Sequence, residues 1–358
     1  MRAFSQLSYS DVFGFLSAAG LVCLFIVYLT PLARKIGLVD VPGERKTHTG
    51  SVPLIGGIVI AASLSLSLLL FPNSFKDFRF LFFGIGLLTI VGALDDQKEI
   101  HPYSRFCAQI LVALALVILD GTVVSHVGNI FGGTTSLGLG ILTIPFSIVA
   151  IVGAVNAYNM IDGHDGLAGF SFIVSLLAFL LLLFYRATDT DLQYIVLVIL
   201  LIVLMLVFIP FNIGLLGSRR KIFLGDAGSM LCGLVMVFLL IRFAQREVPV
   251  VTTTAAAWIL GIPLLDMFAV IFRRLLAKTP ITQSDRNHIH HFLGDLGLTK
   301  GMIVVVLVII HSILVSVGVL GTLLEWPDAW LFWGAFLPLG IYLVIVFYAR
   351  SRNLIHRL

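Results

Sequence analysis

The sequence predicts an all-α integral membrane protein, and its composition carries most of that prediction. Of the 358 residues, 59% are hydrophobic and only 12% are charged, with a mean hydropathy of +1.07. A soluble domain has about a quarter of its residues charged, so this chain could not cover a water-facing surface without large apolar patches. A soluble enzyme is therefore excluded, as is a disordered chain. The three cysteines are too few for a disulfide scaffold, and we expect them to be buried and inert.

The apolar residues fall into runs that match the thickness of a bilayer. A helix needs about 20 apolar residues to cross the membrane, and eleven runs reach or nearly reach that length. The runs do not alternate in polarity, as the strands of a membrane barrel would. We therefore expect about eleven transmembrane helices, centred near residues 21, 62, 87, 112, 148, 176, 201, 235, 261, 313 and 339.

Lysine and arginine are divided unequally between the two sets of alternate connections. One set, with the C-terminal tail, holds 17 of the 23, and the other set holds six. Basic residues accumulate on the cytoplasmic side, so the N-terminus is predicted to lie outside and the C-terminus in the cytoplasm. The net charge of +4 reflects this asymmetry, and no nucleic-acid partner is expected. No repeat or soluble segment divides residues 1–358, which we expect to form a single membrane domain.

The polar residues collect in the five connections on the basic face. A transporter would instead place its polar groups near the middle of the membrane, on broken helices. The connections on the other face are short or contain little unusual chemistry. The distribution favours an enzyme at the membrane surface that handles a water-soluble substrate. Its active site is predicted from the loops near residues 34–57, 95–105, 156–169, 212–229 and 273–301.

The first two of these connections offer opposite charges. The cationic groups of Arg45, Lys46 and His48 suit phosphate, although a basic cytoplasmic loop with a turn would look the same. Asp95 and Asp96 are adjacent at the end of an apolar helix, where two carboxylates repel each other. A bound cation or a shared proton would offset that cost. The alternative is that both side chains simply face water.

The next two connections add oxygen-bearing side chains. Asn156, Asn159, Asp162 and Asp165 recur every three residues and so lie along one face of a helical turn. Hard oxygen ligands of this kind suit Mg²⁺. Asp226 lies between two glycines where the next apolar run begins. It is either a helix N-cap or a metal ligand beside backbone N–H groups that face a phosphate.

The fifth connection is rich in hydrogen-bond donors. Arg286, His288, His290 and His291 form a cationic cluster. A zinc site is disfavoured because the histidines lack the i, i+4 spacing of a helical site and no cysteine is near. Donors to a diphosphate or a sugar fit better. Taken together, the five connections suggest transfer of a phosphorylated group from a soluble donor to a lipid carrier.

The ordered motifs resemble the polyprenyl-phosphate N-acetylhexosamine-1-phosphate transferases of glycosyltransferase family 4. The resemblance covers essentially the whole chain. It is closest to the bacterial undecaprenyl-phosphate GlcNAc-1-phosphate transferases, which begin the synthesis of common antigen, O-antigen and teichoic-acid linkage units. The motifs that carry it are RKTHTGSVPLIGG, GALDDQKE, NAYNMIDGHDGLAG, KIFLGDAGS, IPLLDMFAVIFRR and SDRNHIHH.

This resemblance implies a reaction and a location. UDP-GlcNAc and undecaprenyl phosphate would give undecaprenyl-diphospho-GlcNAc and UMP, with Mg²⁺, or alternatively Mn²⁺, as the cofactor. The active site would face the cytoplasm from a multi-pass protein of the bacterial inner membrane, and a homodimer is implied. One alternative is the same reaction with another UDP-N-acetyl sugar. Another, from a different class, is a flippase or transporter of a lipid-linked substrate.

The resemblance also implies roles for individual residues. Asp95 and Asp96 match the catalytic pair, whereas Asp226 and Asn159 match the metal ligands. The remaining matches are Asp162, Asp165 and Phe223 with the nucleotide, Arg286, His288, His290 and His291 with the sugar and diphosphate, and Arg45, Lys46 and His48 with the phosphates.

The chain departs from the family pattern at two places. His164 stands where the family has an aliphatic residue, and HIHH replaces a plain run of three histidines, which argues against a pentapeptide-bearing substrate. Two polar residues within the apolar runs bear on the transporter alternative. We expect His311 to be a packing residue with its hydrogen bonds satisfied. Asp266 is expected near the inner end of its span, where it would support the floor of the active site.

Overall fold

Helices make up nearly all the regular structure in the computed structural model. It describes residues 7–41, 50–71, 76–133, 135–278 and 288–351, with only the backbone for residues 349–351. The helices are α1 (Tyr9–Ile36), α2 (Gly56–Leu68), α3 (Arg79–Lys98), α4 (Pro102–Leu114), α5 (Thr143–Ile161), α6 (Leu167–Arg186), α7 (Leu192–Asn212), α8 (Gly225–Ala244), α9 (Thr253–Ala277), α10 (Ile289–Asp295), α11 (Lys300–Leu323), α12 (Asp328–Gly334) and α13 (Phe336–Ser351).

The prediction of an all-α polytopic membrane protein is confirmed. Among the described residues, ten helical segments are long and apolar enough to cross a membrane. All eleven predicted centres fall on helices, but the run near residue 62 forms α2, with only 13 residues. At 1.5 Å per residue, α2 is about 20 Å long, shorter than the ~30 Å hydrocarbon core. The chain turns at Leu69 and Leu70, shortly before Pro72, and a residue that precedes proline disfavours helix.

Two further features differ from the sequence predictions. A short antiparallel ribbon lies between the end of α1 and the start of α2, with β1 (Val39–Asp40) paired to β2 (Val52–Pro53).

The expectation of buried cysteines holds for Cys232 but is wrong for Cys23 and Cys107, which are exposed. Both lie on helices that rank among the candidate membrane spans, so their exposed sides face the lipid region.

Helix α8 is the centre of the packing. It is almost entirely buried and contacts α2, α3, α5, α6 and α9. Two glycines on neighbouring helices and one on α8 itself allow this close approach. A Cβ atom on Gly57 would overlap the backbone of Gly228, one on Gly92 would overlap the backbone at Ala227, and one on Gly233 would lie 2.6 Å from the carbonyl oxygen of Ala154. Backbones in membranes come together at small residues in this way. The first turn of α8 is thereby fixed between α2 and α3.

The face opposite the polar connections is closed by the long segment between α4 and α5. Gln245, which follows α8, accepts hydrogen bonds from the backbone N–H groups of Ser125 and His126 at 2.8 and 3.2 Å. Asp328, which begins α12, accepts from the N–H of Asn129 at 2.8 Å and from the hydroxyl of Thr254 at 2.6 Å. These bonds tie that segment to both ends of the connection between α8 and α9.

The glycine contacts lead to a stability prediction. Gly92→Ala places a methyl group against the backbone of α8, and we expect it to lower the free energy of unfolding by about 1–3 kcal/mol or more. Gly86→Ala, on the same helix, is the matched control because nothing lies within 4 Å of its added Cβ. Thermal unfolding of the detergent-solubilised variants measures the difference. Equal melting temperatures for the two variants would contradict the packing described.

Candidate functional site

The described parts of the first, third and fourth polar connections are joined by hydrogen bonds. The N–H of Gly56 donates to the carbonyl of Phe223 at 2.9 Å, and the N–H of Phe223 donates to the carbonyl of Pro53 at 2.8 Å. Asn212 at the end of α7 accepts from the N–H of Gly166 at 2.7 Å and donates to the carbonyl of Ile222 at 3.0 Å. The three segments therefore form one surface at the ends of the helices.

The beginning of α8 is capped by a carboxylate from another helix. Asp96 on α3 accepts hydrogen bonds from the backbone N–H of Asp226 at 3.0 and 3.2 Å. A carboxylate at this position satisfies a free N–H and interacts favourably with the helix dipole. Gly225 has φ of 72°, and a Cβ there would lie 2.5 Å from an Asp96 oxygen. Glycine at 225 is therefore required for Asp96 to approach.

Asp226 lies at the centre of the site. One of its oxygens accepts from Asn159 at 2.9 Å, and the other pairs with the guanidinium of Arg105 at 2.9 Å. The same guanidinium nitrogen pairs with Asp95 at 2.8 Å. The structure thus brings together Asp95, Asp96, Asn159 and Asp226, which the sequence had placed on three separate connections. Asn159 also donates to Ser229 at 3.0 Å and so orients the Asp226 carboxylate.

Sequence reasoning missed Arg105, which it counted only as a basic loop residue. The available signal was its place in the same polar connection as the aspartate pair, nine residues after Asp96. Asn156 also differs from expectation. Its amide exchanges hydrogen bonds with Gln109, at 2.6 Å in the shorter direction, and donates to the carbonyl of Val152. It therefore belongs to the packing between α4 and α5, and it does not touch Asp226.

A second group of residues lies beside the carboxylates. Asp165 pairs with the ammonium group of Lys221 at 2.5 Å. That ammonium nitrogen is 5.1 Å from the centroid of the Phe223 ring, a cation–π distance. Two residues that the resemblance assigned to the nucleotide, Asp165 and Phe223, therefore share one partner. Lys221 was missed because the sequence treats it as one of several basic residues before α8.

Asp162 lies close to three other carboxylates. Its pKa is raised well above the ordinary value, first by burial and then by the charges of Asp226, Asp96 and Asp165. Among the described residues, Lys221 pairs with Asp165, and Arg105 pairs with both Asp95 and Asp226. Asp96 and Asp162 lie beside these carboxylates. Such a group attracts a further cation.

The donor set fits a hard divalent cation. Carboxylate oxygens with an amide beside them are typical of Mg²⁺ sites. Within the described ranges, no three His, Cys, Asp or Glu side chains are grouped closely enough to hold an ion by themselves. An ion bound at Asp226 would therefore share its ligands with water and with substrate phosphates, as Mg²⁺ commonly does.

The histidine segment, residues 288–291, is anchored by a buried aspartate on α9. Asp266 is 0% exposed. It accepts a hydrogen bond from the N–H of Ile289 at 2.8 Å and pairs with Nδ1 of His288 at 2.8 Å. Asp266 therefore supports the start of α10, in line with the expected role at the floor of the site.

His290 connects the third connection to the fifth. Its ring centroid lies 4.3 Å from that of His291 and 4.9 Å from that of His164, and it stacks on His288 at 5.6 Å. Burial, followed by the neighbouring histidines, lowers the pKa of His290 to about 2. Burial and then Lys300 lower the pKa of His164. The expectation of a fully cationic cluster is therefore wrong for His290, which is neutral.

Four predicted site residues, namely Arg45, Lys46, His48 and Arg286, lie outside the described residues. Their roles remain predictions. Every other predicted site residue belongs to one of the groups above: the carboxylates around Asp226, the Asp165–Phe223 group, or the histidine segment.

Fold and site together define a polytopic membrane protein with a carboxylate-rich site where its helices end on one face. The family model for glycosyl transferase family 4 matches residues 78–244. The chain belongs to this family. The resemblance recognised from the motifs is therefore confirmed.

Three relatives show how far the similarity extends, and each is named as an undecaprenyl-phosphate alpha-N-acetylglucosaminyl 1-phosphate transferase. The protein from Yersinia pestis is 35% identical over 313 residues, which cover 87% of this chain and 85% of the relative. The protein from Escherichia coli K12 is 33% identical, over 86% and 83% of the two chains. The protein from Haemophilus influenzae is 33% identical, over 91% of each chain.

The raised pKa of Asp162 predicts a pH-dependent change in stability. Above the unfolded pKa of about 3.9, folding must either keep the proton of Asp162 or bury its charge, and an amide avoids that cost. Asp162→Asn is therefore expected to raise the melting temperature near pH 8 by roughly 2–4 °C. The gain should shrink as the pH falls through the raised pKa and vanish near the unfolded value of about 3.9.

Asp165→Asn is the matched control, because that carboxylate already has Lys221 as its partner and no gain is expected at any pH. Thermal unfolding of both variants from pH 4 to 8 measures the effect. A stability gain for Asp162→Asn that does not change with pH would contradict the electrostatic account.

Proposed function

We propose that this protein transfers GlcNAc-1-phosphate from UDP-GlcNAc to undecaprenyl phosphate, giving undecaprenyl-diphospho-GlcNAc and UMP. The convergence of Asp95, Asp96, Asp162 and Asp226 beside the membrane carries the proposal, since transfer between two phosphates needs a site that collects cations. The names of the relatives, which align over most of their length, support the same substrates.

In the proposed reaction, an oxygen of the lipid phosphate attacks the β-phosphorus of UDP-GlcNAc in line with the leaving group. The new bond joins that oxygen to the β-phosphorus. The bond to the bridging oxygen breaks, and UMP leaves with that oxygen. The second pKa of a phosphate monoester is near 6, so most of the lipid phosphate is doubly ionised at pH 7. A strong general base is therefore unnecessary.

The residues of the chain position the two anions. In this proposal the guanidinium of Arg105, held in place by Asp95, attracts and orients the lipid phosphate, and Asp96 keeps the first turn of α8 in place. Mg²⁺, with Mn²⁺ as an alternative, would be held at Asp226 beside Asn159 and would offset the charge of the diphosphate.

The donor would occupy the surface between the third, fourth and fifth connections. Phe223 offers an aromatic face for the uracil ring, next to the Lys221–Asp165 pair. His288 and the neutral His290 would hydrogen-bond the sugar and diphosphate. Transfer of a different UDP-N-acetyl sugar is the alternative within the same mechanism, because sugar choice depends on a few contacts of the fifth connection.

We also propose that the site faces the cytoplasm of a bacterial inner membrane. The support is the set of 17 basic residues in the connections and the tail on this face. In that location the protein would perform the first membrane step in the synthesis of a cell-surface polysaccharide.

The transporter alternative has less support. It needs charged or broken-helix positions in the middle of the membrane. Helix α9 is broken at Gly261, but the backbone groups freed there, on Ile259 and Ile262, are paired within the protein by Ser175 and His311. On the opposite face, Gln245 and Asp328 hold the segment between α4 and α5 by hydrogen bonds. A flippase would also release no UMP.

The test is UMP release by purified protein in detergent with undecaprenyl phosphate and UDP-GlcNAc. We expect release only when both substrates and Mg²⁺ are present. Asp226→Asn should lower the rate by on the order of 10²-fold or more at every pH, since an amide cannot become a carboxylate. Asp189→Asn, an exposed aspartate on the opposite face, is the control and should keep full activity.

Each failure has its own meaning. Wild-type activity in Asp226→Asn would overturn the role of Asp226 while leaving the reaction intact. Activity with another UDP-sugar and none with UDP-GlcNAc would overturn the donor. If wild-type protein that still binds the lipid releases no UMP from any UDP-sugar, the proposed reaction is wrong.

A further inference from the structure

Helix α9 is interrupted inside the membrane. Gly261 has φ of 51° and ψ of −125°, outside the helical region, and Pro263 follows two residues later. Pro263 has no N–H, so the carbonyl of Ile259 loses its partner in the helix. The break also separates the N–H of Ile262 from the carbonyl four residues before it. In the hydrocarbon region such groups must find partners within the protein.

Side chains from two neighbouring helices satisfy both groups. The hydroxyl of Ser175 on α6 donates to the carbonyl of Ile259 at 2.7 Å. The N–H of Ile262 donates to Nδ1 of His311 on α11 at 3.2 Å. Since Nδ1 accepts, the proton of the neutral ring is on Nε2, which lies 2.9 Å from the carbonyl of Ser171.

The imidazole ring of His311 also fills the space beside the break. It is 0% exposed, and a Cβ on Gly261 would lie 2.5 Å from its Nδ1 atom. The ring therefore occupies the space that a side chain at residue 261 would need. Glycine at 261 and histidine at 311 form a matched pair.

The break lies just before the residue that anchors the histidine segment. Asp266 follows Gly261 by five residues, about 7.5 Å along a helix. It holds Ile289 and His288 by hydrogen bonds of 2.8 Å. The direction that α9 takes after Gly261 therefore determines where Asp266 lies, and with it the start of α10 and His290.

We propose that His311 is a positioning residue for the active site. It acts through Ile262, which lies beside the break in α9 and about one helical turn before Asp266. By accepting from Ile262, it fixes the course of residues 262–277 and so sets Asp266 and the histidine segment against the third connection. The expected effect on donor binding rests on the proposed function. The effect on the structure does not.

Two substitutions of His311 separate its hydrogen bond from its bulk. His311→Asn places an amide oxygen near the position of Nδ1 and can accept from Ile262. His311→Gln reaches the region of Nε2 and leaves the N–H of Ile262 without its acceptor. Ser312→Ala is the matched control, because the Ser312 hydroxyl bonds only to Val308 in its own helix.

The kinetic test measures KM for each substrate in these variants. His311→Gln should raise KM for UDP-GlcNAc roughly tenfold, as the loss of one buried hydrogen bond would. KM for undecaprenyl phosphate should stay within about twofold of wild type, because Asp95 and Arg105 do not depend on α9. His311→Asn and Ser312→Ala should resemble wild type.

Hydrogen exchange followed by mass spectrometry tests the same proposal without turnover. The amide of Ile289 should exchange faster in His311→Gln than in wild type and should remain protected in His311→Asn. If His311→Gln does not fold, Ser175→Ala provides the test, because it removes the hydrogen bond to the carbonyl of Ile259. The amide of Ile289 should then also exchange faster than in wild type.

The outcomes distinguish this inference from the proposed function. If the amide of Ile289 were equally protected in His311→Asn and His311→Gln, the positioning role would be overturned. If His311→Gln does not fold, equal protection in Ser175→Ala and wild type would overturn it instead. So would an equal rise in KM for both substrates. The predicted exchange pattern in a protein that does not use UDP-GlcNAc would support the positioning role and refute the proposed donor.

Discussion

The structure depends on the cap that Asp96 places on the first turn of α8. This contact requires α3 and α8 to approach until their backbones nearly touch, which Gly92 and Gly225 permit because neither has a Cβ. Asp226 gains its position from the same contact, since it is the residue whose N–H is capped. The cap satisfies an N–H that the first turn of α8 would otherwise leave without a partner, so it serves stability and the site at once.

The cost of this arrangement is electrostatic. Burial and the nearby charges of Asp226 and Asp96 disfavour the ionised form of Asp162 and raise its pKa. A protein selected only for stability would avoid such a group, because uncompensated buried charge is costly. Perturbed ionisable groups of this kind are concentrated at functional sites. The same crowding of carboxylates would favour binding of a cation and, through it, of a diphosphate.

Sequence reasoning found the residues that stand out along the chain and missed those defined by their neighbours in space. Asp226 between glycines and the Asp95–Asp96 pair were recognised because carboxylates are rare next to apolar runs. Arg105 and Lys221 were not recognised. In the sequence, a basic residue in such a loop looks the same whether it sets the orientation of the protein in the membrane or pairs with an active-site aspartate. The short α2 was missed because hydropathy measures apolar length and does not register where a chain turns.

The central claim is that the carboxylates around Asp226 form a cation site, and Mn²⁺ binding tests it most directly. Electron paramagnetic resonance of free Mn²⁺, titrated with purified protein at a fixed UDP concentration, counts the ions bound beyond those held in the same solution without protein. We expect one Mn²⁺ per chain, displaced by Mg²⁺, with affinity reduced at least ~10-fold in Asp226→Asn and unchanged in Asp189→Asn. Mn²⁺ bound with the same stoichiometry and affinity in Asp226→Asn would contradict the account.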